Sequence, residues 1–338
     1  MDVLKLLRTA VKLGASDLHV HAGAPPAVRV DGRIKLLRAP ALHSTETAAF
    51  VAEIAKDETR STFRRTVEGL GTFRVTVFTA QGRSGASVRV IAPPQTPDEL
   101  SLSPHLVALL QRPSGLLLLT GTAGAGTTTT LHALVDQLNQ RTRSTVVCIE
   151  DPVERIHSHK HGVVVPLGVG PDVPDIASGL ELAMRMDADV LALSDLPDLE
   201  SVQLAMMAAE AGHLVLVTLH FATVQDTIGC LLDAWSEGRR PAACRQLATT
   251  LLGIHAQRLL PRANGGRVLA SEFLVSTESV RQAIRSDELE AIPQAMTIGR
   301  RVGMSLMDHT IRRLLRDEII TLETARASVR DPRVIADT

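Results

Sequence analysis

The fold class of this 338-residue chain follows from one stretch, Leu116-Leu-Leu-Leu-Thr-Gly-Thr-Ala-Gly-Ala-Gly-Thr-Thr-Thr-Thr130. The four leucines predict a buried strand, a glycine-rich turn follows at once, and apolar residues then recur at helical spacing through Leu138. Gly121 and Gly126 form a Gly-x-x-x-x-Gly frame, which is typical of a phosphate-binding loop between a strand and a helix. The N–H groups of such a loop point at a phosphate, and the helix N-terminus adds its dipole.

The residue after Gly126 departs from the phosphate-binding pattern, because Thr127 stands where a lysine is expected. An ammonium group ~4 Å from a phosphate charge contributes about 4 kcal/mol at an effective dielectric constant of about 20. Its absence predicts weaker transition-state stabilisation, while the loop amides still hold phosphate. Thr128 is suited to ligate Mg²⁺. The residues expected to bind the nucleotide are Gly121, Thr122, Ala123, Gly124, Ala125, Gly126, Thr127, Thr128 and Thr129.

The chain reads as two domains, residues 1–97 and 98–338. In the second, short apolar runs alternate with helical segments, which predicts a buried parallel sheet; the runs are 116–120, 145–149, 189–193 and 214–219, with a further strand over 267–274. The first has an α+β pattern, with a helix over 3–13, a hairpin around Asp31-Gly32, a helix over 45–65, and antiparallel strands over 71–78 and 86–91. Ala92-Pro-Pro-Gln-Thr-Pro97 is the expected linker, because three prolines disfavour helix and central strand.

Composition excludes several classes of protein. A formal net charge of −1 and 2% aromatic residues argue against a nucleic-acid surface. No apolar run approaches the ~20 residues that a membrane span needs, so no transmembrane segment is expected. The cysteines Cys148, Cys230 and Cys244 lie far apart and form no Cys-x-x-Cys pair, which favours a reduced, cytoplasmic protein without a zinc module.

Four more segments accompany the glycine loop in a characteristic order. They are Gly14-Ala-Ser-Asp-Leu-His-Val-His-Ala-Gly23 with its continuation to Gly32, Cys148-Ile-Glu-Asp-Pro-Val-Glu154, Asp187 to Glu200, and Gly212-His-Leu-Val-Leu-Val-Thr-Leu-His220. Together with the loop they resemble the PilT-type retraction ATPases of type IV pili, within the secretion-ATPase superfamily. The resemblance covers nearly the whole chain.

The resemblance implies an α/β fold class, with a RecA-like P-loop core and a smaller PAS-like N-terminal α+β domain. It implies a homo-hexameric ring that binds ATP and Mg²⁺, with the nucleotide between the two domains. It also implies a cytoplasmic protein that is peripheral at the inner membrane, where a pilus platform protein is its partner.

The resemblance also implies a role for individual residues. Glu154 corresponds to the carboxylate that polarises the attacking water, and Asp195 stands at the Walker B position. His213 and His220 correspond to the histidines that sense or contact nucleotide. Arg74, Arg83 and Arg89 are candidates for the arginines that reach the phosphates. The implied metal-site residues are Thr128, Glu154 and Asp195.

The departures from the family pattern concentrate at positions expected to contact the phosphates, the metal or the attacking water. Besides Thr127, Asp195 replaces a glutamate, Ser194 a glycine and Pro197 an arginine. The main hypothesis is a PilT-like motor subunit whose hydrolysis is weakened. The alternative is a non-catalytic paralogue that binds an intact homologous motor and modulates it. A secretion-type assembly ATPase is a third hypothesis, which the missing cysteine module disfavours.

Three histidines, His157, His159 and His161, alternate with Ser158 and Lys160. Such alternation superficially suggests a metal site. We interpret the segment as a solvated loop instead, because no carboxylate or cysteine is nearby in sequence.

Overall fold

The computed structural model describes residues 2–56, 58–91 and 95–336. The chain divides into two compact units, Met1–Pro93 with Pro152–Glu154 (unit 1) and Pro94–Asp151 with Arg155–Thr338 (unit 2). Residues 92–94 of the expected linker lie outside the described residues. The domain boundary after residue 97 stays a prediction.

Unit 1 is an antiparallel sheet with two helices. Its elements are α1 (Val3–Lys12), β1 (Asp17–Val20), β2 (Ala27–Val30), β3 (Arg33–Leu36), α2 (Ser44–Ala55), β4 (Thr62–Val67), β5 (Gly71–Ala80) and β6 (Arg83–Ile91). The strand order is β3-β2-β1-β6-β5-β4. Leu18, Phe50 and Phe73 are fully buried in its core. The predicted hairpin is confirmed, since Asp31 and Gly32 turn the chain with φ of 49° and 79°.

The helix predicted over 45–65 is wrong beyond Ala55, because residues 62–67 form β4. This strand pairs with β5, and Phe63 is buried in the core. Arg65 explains the early end of the helix: its Nε donates to the Ile54 carbonyl at 2.9 Å and its Nη2 to the Ala55 carbonyl at 2.7 Å. The side chain of the strand thus satisfies carbonyl groups that the last turn of α2 leaves open.

Unit 2 is a seven-stranded mixed sheet surrounded by helices. Its elements are α3 (Pro104–Ala108), β7 (Gly115–Thr120), α4 (Thr127–Arg141), β8 (Thr145–Glu150), β9 (Val163–Gly168), α5 (Ile176–Met184), β10 (Val190–Leu193), α6 (Leu199–Ala211), β11 (Leu214–Leu219), α7 (Val224–Asp233), α8 (Arg240–Thr250), β12 (Leu251–Pro261), β13 (Arg267–Val275), α9 (Glu278–Arg285), α10 (Ile292–Ile298), α11 (Met307–Arg316) and α12 (Leu322–Ser328). In the described part of the chain, no helix is long and apolar enough to cross a membrane.

The predicted buried parallel sheet is confirmed. The strand order is β13-β12-β7-β11-β10-β8-β9, and only β13 runs antiparallel to its neighbour. All residues of β7, β10 and β11 are buried, because helices cover both faces of the sheet. The sequence did not reveal β9 and β12. Residues 251–261 mix apolar and polar side chains without the alternation that marks a half-buried strand.

His255 on β12 is fully buried, and neither ring nitrogen makes a hydrogen bond within the described residues. Burial lowers the pKa of this imidazole to about 4. In the unfolded chain the His255 imidazole is protonated near pH 6.5. In the folded chain it is protonated only near pH 4. The unfolding free energy must fall as the pH drops through this window.

We expect this histidine to remove up to about 3 kcal/mol of stability between pH 7 and pH 4. His255→Leu should flatten that part of the curve, which urea unfolding at several pH values measures. His105→Asn, at an exposed histidine, is the matched control and should leave the curve unchanged. Identical acid dependence in His255→Leu and the unsubstituted chain would contradict the assignment.

Candidate nucleotide site

Four neighbouring parallel strands of unit 2 end at one edge of the sheet. Gly121 follows β7, His220 follows β11, Ser194 follows β10 and Asp151 follows β8. The order β7-β11-β10-β8 makes these four positions neighbours. The carboxyl edge of an open α/β sheet is where ligands bind in this architecture. Sequence and topology therefore place the glycine loop, the Asp195 segment and His220 at the same edge.

The glycine loop has the backbone geometry of an anion site. Gly126 precedes α4 with a φ of 90°, a left-handed conformation that side-chain-bearing residues rarely adopt. Thr122, Ala123 and Gly124 are exposed. The loop thus presents open backbone at the N-terminus of a 15-residue helix, where partial positive charge accumulates. The residues present therefore fit a phosphate group.

Gln257, which the sequence analysis missed, holds the loop from β12. Its Nε2 donates to the Ala125 carbonyl at 2.8 Å, and its Oε1 accepts from the Thr130 hydroxyl at 2.9 Å. The side chain is buried, so both bonds are shielded from water. The backbone carbonyl oxygen of Gln257 would lie 2.5 Å from a Cβ added at Gly121, which leaves no room for any other residue there. The signal available in the sequence was a polar residue, Gln257, within the largely apolar run of residues 251–260.

The loop threonines differ in their surroundings. Thr127, at the lysine position, is buried, whereas Thr128 and Thr129 are partly exposed. Thr127 supplies no positive charge. The Thr128 hydroxyl and the Asp195 carboxylate offer oxygen ligands of the kind that Mg²⁺ takes.

The segment after β10 is tied to both neighbouring strands through Ser194. The Thr218 hydroxyl donates to its carbonyl at 2.5 Å, and the N–H of Asp151 donates to its hydroxyl at 3.3 Å. Asp195 follows and accepts the N–H of Leu196 at 2.8 Å. Asp198 then caps α6 by accepting from the Ser201 N–H.

The two histidines assigned by resemblance lie at opposite ends of β11. His220 follows the strand at the edge that carries the glycine loop, and it is exposed. His213 precedes the strand, and its Nδ1 bonds the Ala188 carbonyl at 2.6 Å. Six residues of strand separate them by about 20 Å. The structure therefore brings His220 to the edge with the loop, but not His213.

In unit 1, two of the predicted functional residues contact each other. Arg74 donates from Nη1 to Oε1 of Glu154 at 2.6 Å, and both side chains are largely shielded from solvent. Glu154 belongs to the short segment of residues 152–154 that packs with unit 1. The implied water-polarising carboxylate and one implied phosphate-reaching arginine thus form an ion pair.

A row of arginines crosses the sheet of unit 1. Arg64, Arg74 and Arg89 stand directly opposite one another on β4, β5 and β6, and Asp17 and Arg29 continue the same register on β1 and β2. Residues opposed in this way share one face of the sheet.

Asp17 is the carboxylate that partners this row. Burial works against its ionisation, but the charge and hydrogen bond of Arg89 and the hydroxyl of Ser16 outweigh burial, so the pKa of Asp17 is lowered. Arg83 lies outside the row, exposed beside the β5–β6 turn, and it makes no ion pair within residues 2–56, 58–91 and 95–336.

The interpretation of residues 157–161 as a solvated loop is wrong for His157. This side chain is buried, and its Nδ1 lies 2.8 Å from Oδ1 of Asp136 while its Nε2 lies 3.1 Å from Nδ1 of His132. His159 and His161 are exposed. The carboxylate partner comes from α4, more than twenty residues earlier in the chain, which inspection of the neighbouring sequence could not reveal.

The chain belongs to the type II/IV secretion system protein family, whose model matches residues 95–325. It is 33% identical over 341 residues to the type IV pilus retractation ATPase PilT of Pseudomonas aeruginosa, covering 98% of this chain and 99% of that protein. It is 30% identical over 337 residues to the type IV pilus ATPase PilU of the same organism, covering 97% of this chain and 88% of that protein.

A solved structure supports the same conclusion. The crystal structure of the pilus retraction motor PilT with bound ADP matches this fold with a TM-score of 0.85 and 36% identity, covering 98% of each chain. The predicted α/β fold class and the predicted resemblance to PilT-type ATPases are therefore confirmed.

Gln257→Leu should destabilise the protein by about 2–4 kcal/mol, because it leaves the Ala125 carbonyl and the Thr130 hydroxyl buried without their partner. Urea unfolding measures the change. The matched control is Gln246→Leu, which removes a solvent-accessible hydrogen bond to Glu210 and should cost less than about 0.5 kcal/mol. Equal effects of the two substitutions would show that Gln257 does not anchor the loop.

Proposed function

We propose that this chain is a PilT-like ring subunit of a type IV pilus motor that binds ATP at its glycine loop. The exposed loop backbone at the N-terminus of α4 carries this proposal, since it fits a phosphate without help from a lysine. The Thr128 hydroxyl and the Asp195 carboxylate would hold Mg²⁺, which supplies charge neutralisation at the phosphates. We further propose a homo-hexamer, cytoplasmic and peripheral at the inner membrane.

Hydrolysis is proposed to be slow. In-line attack of water on the γ-phosphate builds charge that P-loop enzymes neutralise with the loop lysine and metal. Thr127 is neutral, and the Asp195 carboxylate is one methylene shorter than the glutamate of the family pattern. The roles of Glu154 in orienting water and of Arg74, Arg83 and Arg89 in meeting phosphate charge stay predictions.

The second candidate is a non-catalytic paralogue that modulates an intact motor. Thr127 favours this second role. Its uncharged, buried side chain cannot stabilise the charge that develops on the phosphates, whereas the backbone amides of the loop can still bind phosphate. The similarity to both PilT and PilU is compatible with either role. A mixed ring with an intact homologous motor would be its working form.

Nucleotide binding and turnover distinguish these functions. A fluorescent ATP analogue is titrated with and without Mg²⁺, and phosphate release is measured for the chain alone and mixed with an intact homologue from the same cell. Light scattering on the same samples reports the number of chains per particle.

We expect saturable Mg²⁺-dependent binding, particles near six chains and turnover far below that of a lysine-bearing motor. An altered rate in the mixture would favour the modulating role. Absence of binding would overturn the proposed function.

Thr127→Lys tests the missing charge directly. The new ammonium group should tighten ATP binding tenfold or more, because a charge near the β- and γ-phosphates is worth a few kcal/mol before desolvation. Turnover should rise less than affinity, since Asp195 and Pro197 stay unchanged. Adding Asp195→Glu should raise turnover by more than the sum of the two single effects, because both side chains act on the same phosphate and metal.

The control for this variant is Thr129→Lys, which adds the same charge two residues away. Affinity and turnover are measured for all variants. Equal gains from Lys at positions 127 and 129 would contradict a specific role for position 127.

A further inference from the structure

Two strands of the parallel sheet carry a buried hydroxyl group near the edge with the glycine loop. Thr120 is the last residue of β7, and its side chain is fully buried. Thr218 is the last residue but one of β11 and is 1% exposed. Both strands are otherwise apolar, and a buried hydroxyl without a hydrogen-bond partner costs stability. The partners of these two hydroxyls therefore show what each of them holds.

The Thr120 hydroxyl holds the backbone of Phe221 through two hydrogen bonds. It donates to the Phe221 carbonyl at 2.8 Å and accepts the Phe221 N–H at 3.0 Å. On the other side of His220, the N–H of Gly121 donates to the Leu219 carbonyl at 3.2 Å. The backbone of His220 is thus fixed on both sides to the end of β7 and the first glycine of the loop.

The Thr218 hydroxyl makes a similar bond to the next segment of the edge. It donates to the carbonyl of Ser194 at 2.5 Å, directly before Asp195. The Ser194 hydroxyl in turn accepts the N–H of Asp151 at 3.3 Å. Three hydroxyl groups therefore link β7 to the segments that follow β11, β10 and β8, in the order that these strands have in the sheet.

These bonds fix backbone that the sheet itself leaves unpaired. A segment that follows a strand has lost the ladder of hydrogen bonds, so its conformation depends on other contacts. Every residue of β7 and β11 is buried, and a hydroxyl on such a strand is therefore held in place. Backbone that is ordered before a ligand arrives loses less entropy when the ligand binds.

We propose that Thr120 and Thr218 are positioning residues, which hold His220 and Asp195 beside the glycine loop for contact with bound nucleotide and its Mg²⁺. This role rests on the proposed function. Thr120 acts through the backbone that flanks the histidine, and Thr218 acts through the carbonyl group before the carboxylate. Both hydroxyls are buried and bonded to backbone, so they act through these neighbours and not on the nucleotide itself.

A double-mutant cycle separates this role from a contribution to stability alone. A hydroxyl that only stabilises the sheet edge should change nucleotide affinity independently of His220 or Asp195. A hydroxyl that acts through one of these residues has nothing left to position once that side chain is removed, so the two effects are not additive.

The first arm titrates a fluorescent ATP analogue, in the presence of Mg²⁺, into Thr120→Val, His220→Ala and the combined variant. Each single substitution should weaken binding about threefold or more, and the combined variant should bind no more weakly than His220→Ala. Thr120→Ser keeps the hydroxyl and should bind like the unsubstituted chain.

The second arm measures how much Mg²⁺ tightens binding of the same analogue. Thr218→Val should reduce this gain about threefold or more, because the Asp195 carboxylate is no longer held in place. Adding Thr218→Val to Asp195→Ala should reduce the gain no further. Thr218→Ser, which keeps the hydroxyl, should retain the full gain.

Thr250→Val is the matched control. The Thr250 hydroxyl is also buried, and it donates to the Gln246 carbonyl at 2.9 Å. It stands directly before β12, whose first residues pair with the beginning of β7, so it lies at the opposite edge of the sheet. The control should leave nucleotide affinity and the gain from Mg²⁺ unchanged. Urea unfolding checks that every variant folds, and Thr120→Ala or Thr218→Ala replaces a valine variant that does not.

Each hydroxyl is judged by its own arm. Unchanged binding after its loss, or single effects that multiply in the combined variant, would overturn its positioning role. An equal effect of Thr250→Val would overturn both roles. If His220→Ala and Asp195→Ala bind like the unsubstituted chain, the positioning roles fall while the proposed function stands. If the unsubstituted chain binds no nucleotide, the proposed function falls as well.

Discussion

The close approach of β12 to the beginning of the phosphate loop constrains the candidate site more than any other contact. The backbone carbonyl oxygen of Gln257 occupies the space where a side chain at Gly121 would begin. It would lie 2.5 Å from a Cβ added there. The same residue binds the loop from both sides through Ala125 and Thr130. Strand β12 is paired in parallel with β7, so the loop is fixed to two adjacent strands at once. A rigid loop loses little conformational entropy when a phosphate binds, which preserves affinity in a chain that lacks the lysine.

The sequence predicted the parts of the fold that local patterns specify. Leu116 to Leu119 are buried on both faces of the sheet, so their uninterrupted apolar run identified β7, and the glycine loop identified the connection to α4. Local sequence patterns do not predict helix ends or strands that depend on side chains from elsewhere in the chain. The helix over 45–65 ended early because Arg65, ten residues beyond Ala55, caps it from a neighbouring strand. Strand β12 escaped notice because its polar residues, including Gln257, are buried among partners that local sequence does not show.

The same reasoning applies to the candidate site. The glycine frame predicted the loop and the family resemblance predicted Asp195 and His220, and strand order places all three at one edge of the sheet. His213 belongs to the same sequence motif as His220. The two histidines flank β11, however, so they lie at opposite edges of the sheet. His157 carried no local signal for burial, because its partners His132 and Asp136 come from α4. Pairings across elements create buried polar networks, and only the folded chain shows them.

Under the proposed function, the substitutions in this chain would affect nucleotide binding and the chemical step differently. Backbone amides and a helix dipole contact phosphates already present in the ground state, so they contribute affinity that is largely uniform along the reaction. A lysine and a correctly placed carboxylate act on charge that develops during phosphoryl transfer, and only such groups raise the rate of the chemical step. The glycine frame of the loop is present, whereas Thr127 and Asp195 stand at positions that the proposed function assigns to the second kind of contribution.

Nucleotide binding alone can still shift a conformational equilibrium, provided that two states of the subunit differ in affinity. A subunit of this kind needs an ordered connection between its phosphate loop and the segment that follows β8 more than it needs rapid hydrolysis. The buried approach of His132 to Glu150, at 3.5 Å between Nε2 and Oε2, is such a connection, because it brings polar groups of α4 and the end of β8 together. A retained scaffold with altered charges is therefore consistent with a subunit whose main output is a nucleotide-dependent shape.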